Sequence, residues 1–153
     1  MKGFFKKRDE NKRMTYKEED WQRALRRLHL ARGHYLDYKK QDAEIRLPDL
    51  LDEAVHKCWT VGEYAIKCLG QNPPQDHSQP EQARNLFATG KLTQDYSKAL
   101  EQLEAFRKKS AHLGYTKENS THYSSADVNR CLTMVEELCA EVEVLLRKKH
   151  PSR

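Results

Sequence analysis

Between Val128 and Leu146 an apolar side chain returns every three or four residues: Val128, Cys131, Leu132, Val135, Leu138, Cys139, Val142, Leu145 and Leu146. At about 3.6 residues per turn this keeps one side of a helix apolar, whereas a strand would need alternation at every second residue. Such a stripe is stable only against other surfaces of its kind. Three further segments supply them. Asp20 to about Lys40 carries Trp21, Ala24, Leu25, Leu28, Ala31, Tyr35 and Tyr38 at helical steps. Pro48 suits the first turn of a second helix, whose stripe runs Leu51, Ala54, Val55, Cys58, Val61, Ala65, Ile66 and Leu69 until Gly70. Thr93 is placed to cap a further one, with Tyr96, Ala99, Leu100, Leu103 and Phe106, ending near Gly114. Between the second and this one, the Pro-rich stretch Gln71 to Pro80 reads as a nonhelical connection and Glu81 to Ala88 as a short helix stopped by Gly90. After the polar loop Tyr115 to Tyr123, Ser124 or Ser125 caps the last helix, and Pro151 marks its end. No strand-like alternation and no repeat of fixed period interrupts the pattern. The expectation is an all-α fold, an up-down bundle of four long helices plus a short one.

A chain of 153 residues suits one such domain, and 33% charged against 37% hydrophobic residues suits helices with wide solvated faces. The division expected is a charged, flexible segment at 1–15, the bundle at 16–149 and a basic tail at 150–153. The net charge of +5 admits a polyanionic partner. Much of it, however, gathers in Lys2 to Arg13 and Arg147 to Arg153, where solubilising ends are the plainer reading. Cys58, Cys68, Cys131 and Cys139 lack any CxxC spacing and fall on helical stripes, as small buried hydrophobes do in a reducing cytoplasm. Phe4-Phe5 is too short for a signal sequence and no apolar run approaches a membrane span, so a cytoplasmic protein with no membrane association is expected.

Chemistry has few places to reside. The scattered histidines, including His29 and His34 at a five-residue spacing, do not form a shared ligand face, so no metal is expected. No Gly-rich phosphate loop and no Cys-His or Ser-His-Asp motif is present, and no cofactor is expected. Trp21, Trp59 and most tyrosines read as core. Arg107 is the exception to a clean pattern, falling four residues after Leu103 and seven after Leu100, on the apolar stripe itself. A guanidinium aimed at a packed surface must snorkel, find a carboxylate or face a polar pocket. His112 follows five residues later, about 140° around and roughly 7.5 Å along a regular helix. A left-handed cap at Gly114 would leave His112 in the final turn, able to swing toward a groove shared with Tyr115.

Arg107-x4-His112 at the end of the penultimate long helix, followed by a loop and an amphipathic last helix, resembles the signature of the HEPN family (higher eukaryotes and prokaryotes nucleotide-binding). The likeness extends over residues 16 to 147. Pro48 to Gly70, with Ala54, Trp59, Tyr64, Ala65, Lys67 and Cys68-Leu69, resembles the family's second helix, and Tyr123-Ser124-Ser125-Ala126-Asp127-Val128 the start of its last. The resemblance implies metal-independent RNA cleavage by a homodimer, with Arg107 and His112 of both subunits lining one cleft. In that chemistry an imidazole exchanges a proton with the ribose 2′-hydroxyl or the leaving 5′-oxygen, and an arginine holds the nonbridging phosphate oxygens. The products would be a 2′,3′-cyclic phosphate and a 5′-hydroxyl.

A toxin or defence ribonuclease paired with a nucleotidyltransferase antitoxin is the setting that the resemblance implies. Two departures keep alternatives open: Lys108 stands where many active members have Asn, Asp or His, and two residues rather than one separate His112 from Tyr115. Tyr115 is then an accessory residue that stacks on a base or is itself modified, and Lys108 and Lys109 are secondary RNA contacts, against a plain reading as a solvated helix end. The alternative functions are a noncatalytic module that binds nucleotide, RNA or a nucleotidyltransferase, and a structural adaptor.

Overall fold

The computed structural model describes the backbone of residues 2–41, 48–69, 78–113 and 124–149, and the side chains of 18–41, 49–69, 78–108 and 124–147. Among these residues the chain forms five helices and no strand: α1 (Lys2–Lys40), α2 (Pro48–Cys68), α3 (Gln79–Ala88), α4 (Ser97–Leu113) and α5 (Ser125–Lys149). The all-α expectation holds. The first helix extends well ahead of Asp20, where its apolar period begins, because helical backbone continues through the charged sequence of 2–19.

The second helix is the hub, packed against each of the other four, and its most extensive contact is with α1. Its burial pattern explains this role: Leu51, Ala54, Val55, Cys58, Val61, Ala65, Ile66, Cys68 and Leu69 are all buried, a face too wide for one neighbour to cover. The first helix offers a narrower stripe of Ala24, Leu28 and Ala31, whose two alanines let the helix axes approach. From α4 come Leu100, Leu103 and Phe106, and from α5 Val128, Leu132, Val135, Leu138 and Val142. Against this core Trp21, Tyr35, Tyr38, Trp59 and Tyr64 are only partly buried, so the aromatic rings largely border the core rather than fill it. All four cysteines are buried and free. Burial pushes the Cys131 thiol up to about 11 and the Cys139 thiol up to about 12, which makes both poor nucleophiles.

Two local expectations are corrected. Pro80 does not stay outside the short helix; it lies in the first turn of α3, where its missing N–H is no loss, behind Ser78, whose hydroxyl accepts from the Glu81 N–H at 3.3 Å. The third helix ends where Gly90 takes φ +81°, a left-handed stop, and buried Leu92 follows. Thr93 does not cap α4. That helix starts at Ser97, with the Asp95 carboxylate accepting the Ser97 N–H at 3.0 Å and the Tyr96 carbonyl accepting the Leu100 N–H at 2.9 Å. Thr93 is occupied elsewhere. Its N–H and hydroxyl donate to Glu141 Oε1 on α5 at 2.6 and 2.7 Å, and the Tyr96 hydroxyl donates to Glu141 Oε2. Ser124 caps α5 in the expected way: its hydroxyl accepts the Asp127 N–H at 3.2 Å, and the Asp127 carboxylate accepts the Ser124 N–H at 2.9 Å.

Candidate functional site

The apolar period of α4 carries Arg107 onto the α2 side of the helix, directly after buried Leu103 and Phe106. The guanidinium carbon lies 5.1 Å from the centroid of the Trp59 ring, the geometry of a cation held by an aromatic face. Half-buried Arg107 makes no ion pair among the described residues. An indole holds the plane of a guanidinium by its quadrupole and dispersion while consuming none of its N–H donors, so the donors remain able to fork onto an oxyanion.

Trp59 is itself braced. The Gln79 side-chain amide, buried at the start of α3, donates to the Trp59 carbonyl at 3.2 Å, crossing α2 where Gly62 leaves room for it. A Cβ at position 62 would lie 2.3 Å from Gln79 Oε1 and 3.4 Å from Leu100 Cδ2. Gln79 Oε1 finds no N–H or O–H donor; it lies instead over the Gly62 backbone, where only a weak C–H contact is available. The three helices α2, α3 and α4 thus meet around Gly62, one turn after Trp59.

His56 stands three residues before Trp59 on α2 and is half-buried. Burial holds its imidazole below the ordinary histidine pKa, opposed by the Glu53 carboxylate and reinforced by the charges of Arg107 and Lys57. At neutral pH the ring is therefore mostly uncharged and able to accept a proton.

Of the other residues singled out in the sequence, Lys108 is exposed on the solvent side of α4 and pairs with Glu104 at 3.3 Å, one turn earlier. An exposed i,i+4 pair of this kind is exchanged easily for a phosphate. Lys109 and His112 belong to the α4 backbone, but their side chains, and the whole of Tyr115, lie outside the described residues. Arg107 is thus brought to the face of Trp59, and His56 lies one helical turn before that tryptophan. Sequence reasoning assigned Trp59 to the core and passed over His56; their three-residue spacing, off the buried stripe of α2, was the available signal.

On the opposite flank of Phe106, α4 and α5 leave a shallow groove of about 330 Å³ between Ala99, Gln102, Arg130, Cys131 and Met134. Among the described residues no cluster of histidine, cysteine and carboxylate side chains is placed to hold a metal ion, and no helix is long and apolar enough to cross a membrane. No protein-family model, curated protein or solved structure matches the chain.

Proposed function

We propose that this protein binds RNA through the Arg107 site and cleaves it without a metal, in the manner of a HEPN ribonuclease acting as a homodimer. The observation that supports this most directly is the placement of Arg107: a half-buried guanidinium on an aromatic face, with no carboxylate partner among the described residues. An aromatic face holds the cation while leaving its N–H donors open, so it can receive a phosphate without first giving up an ion pair. His112 of the same helix carries the acid–base role that the sequence motif suggests, Lys108 and Lys109 add phosphate contacts, and Tyr115 serves as an accessory residue. A toxin or defence setting with a nucleotidyltransferase antitoxin rests on the resemblance alone.

The test is incubation of the purified protein with mixed tRNA and mRNA in EDTA, beside Arg107→Ala and His112→Ala. Cleavage that leaves 2′,3′-cyclic phosphate ends and disappears in both variants is the expected result. RNA binding without cleavage by a folded dimer would replace the ribonuclease with a noncatalytic binding module. Absence of both would leave a structural bundle.

A further inference from the structure

Cleavage of RNA by its own 2′-hydroxyl needs two proton positions at one phosphodiester, a base for the attacking oxygen and an acid for the departing one. Arg107 can fill neither, since its guanidinium stays protonated and only donates. The Arg-x4-His pattern supplies one imidazole, and a second lies on a different helix, one turn from the tryptophan that supports Arg107. His56 and Trp59 are three apart on α2, neighbours on one helix face with Cβ atoms about 5–6 Å apart. Arg107 rests on that tryptophan at 5.1 Å. Its charge reaches the His56 ring.

We propose that His56 is the proton acceptor of the Arg107 site, taking the proton of a ribose 2′-hydroxyl whose adjacent phosphate Arg107 holds; this rests on the RNA-cleavage reading above. The 2′-O–H bond breaks as its proton passes to a ring nitrogen of His56, and the 2′-oxygen bonds to phosphorus. The bond from phosphorus to the 5′-oxygen then breaks, and its electron pair leaves with that oxygen, which takes a proton from His112. Exchange with water then removes the proton from the His56 imidazolium and restores the one that His112 gave, so both groups return to their starting states. No metal or co-reactant enters the balance.

The surroundings of His56 suit an acceptor. Burial, Arg107 and Lys57 keep the ring neutral at pH 7, with Glu53 the opposing charge and Asp52 one turn earlier on the same helix. A phosphate arriving at Arg107 offsets that cation, so the basicity of His56 rises once substrate is bound. Glutamine at position 56 would keep a hydrogen-bonding side chain and remove the titration.

The deciding experiment measures single-turnover RNA cleavage in EDTA from pH 5 to 9 for the wild type, His56→Gln and His56→Asn, together with binding of an oligonucleotide made uncleavable by 2′-deoxy substitution. The expected wild-type rate rises with pH as His56 loses its proton, then falls as the acid that protonates the departing 5′-oxygen is itself deprotonated. Both variants should melt normally, hold the uncleavable oligonucleotide as tightly as the wild type, lose the rising limb and cleave at least about a hundredfold more slowly. Folded variants that cleave at the wild-type rate with an unchanged profile would overturn the role of His56 and leave the ribonuclease standing. A wild type that does not cleave would remove the ribonuclease reading and the acceptor with it. Should neither variant fold, NMR titration of His56 in the wild type decides: its pKa should rise when the uncleavable oligonucleotide binds, and an unmoved pKa overturns the proposal.

Discussion

Glu141 and Arg107 are both charged residues on the inward side of a long helix, and the bundle treats them in opposite ways. Glu141 is closed: both carboxylate oxygens accept hydrogen bonds, from the Thr93 N–H and hydroxyl and from the Tyr96 hydroxyl, tying the segment before α4 to α5. Arg107 is open, supported on the face of Trp59 with its donors uncommitted to any ion pair among the described residues. A charge used for structure has its hydrogen-bonding capacity spent within the fold. One used for binding is positioned by contacts that leave that capacity intact.

This contrast can be broken most forcefully at Arg107. Arg107→Ala should lower RNA cleavage in EDTA by about a hundredfold or more while leaving thermal stability nearly unchanged, since the residue closes no polar network. A large fall in melting temperature with unaltered RNA handling would reverse the assignment. Glu141→Ala should behave in the opposite sense, costing about 2 kcal/mol in urea unfolding through the loss of hydrogen bonds to a charged group, with the RNA-binding surface intact. Burial alone would raise the Glu141 pKa, but the hydrogen bonds from Tyr96 and Thr93 outweigh it and hold the carboxyl below its ordinary value. The stabilisation is therefore fully present above the unfolded-state pKa and is lost as pH falls through the folded one. Glu141→Gln should flatten that part of the stability profile on the acid side of pH 5.

Two smaller effects sharpen the account of how the Arg107 support is built. Gly62→Ala gains about 1 kcal/mol of helix propensity, yet the added methyl displaces the Gln79 amide from the Trp59 carbonyl. Net destabilisation is expected for Gly62→Ala, turning to net stabilisation in a Gln79→Ala background, with a coupling of about 1 kcal/mol or more in the double-mutant cycle. Additive effects would show that the amide and the glycine do not meet. Trp59→Phe should retain a face for the guanidinium, whereas Trp59→Leu removes it, and the difference in unfolding free energy between Arg107 and Arg107→Ala backgrounds should be about 0.5–1 kcal/mol.

The placement of Arg107 was legible because a four-residue step after Leu103 allows no other side of the helix. What it rests on was not. Trp59 follows Cys58 in the centre of an apolar helix and reads as core, and only its partial burial, beside fully buried Cys58 and Val61, distinguishes it. Thr93 illustrates the converse error. As a threonine shortly before an apolar run it has the local character of a cap, but its two donors reach a carboxylate forty-eight residues away and the capping passes to Asp95.

By itself, then, the sequence determined the helical class, the approximate span of α2 to α5 and the stripes that α2, α4 and α5 would bury, because helical periodicity and capping are properties of neighbours along the chain. Tertiary structure decided which helix became the hub, that Arg107 lies on Trp59, and that Glu141 clips Thr93 and Tyr96. Those pairings depend on the rotation and crossing of whole helices, which are set by how ridges of side chains fit together across the core, and no local period encodes that fit.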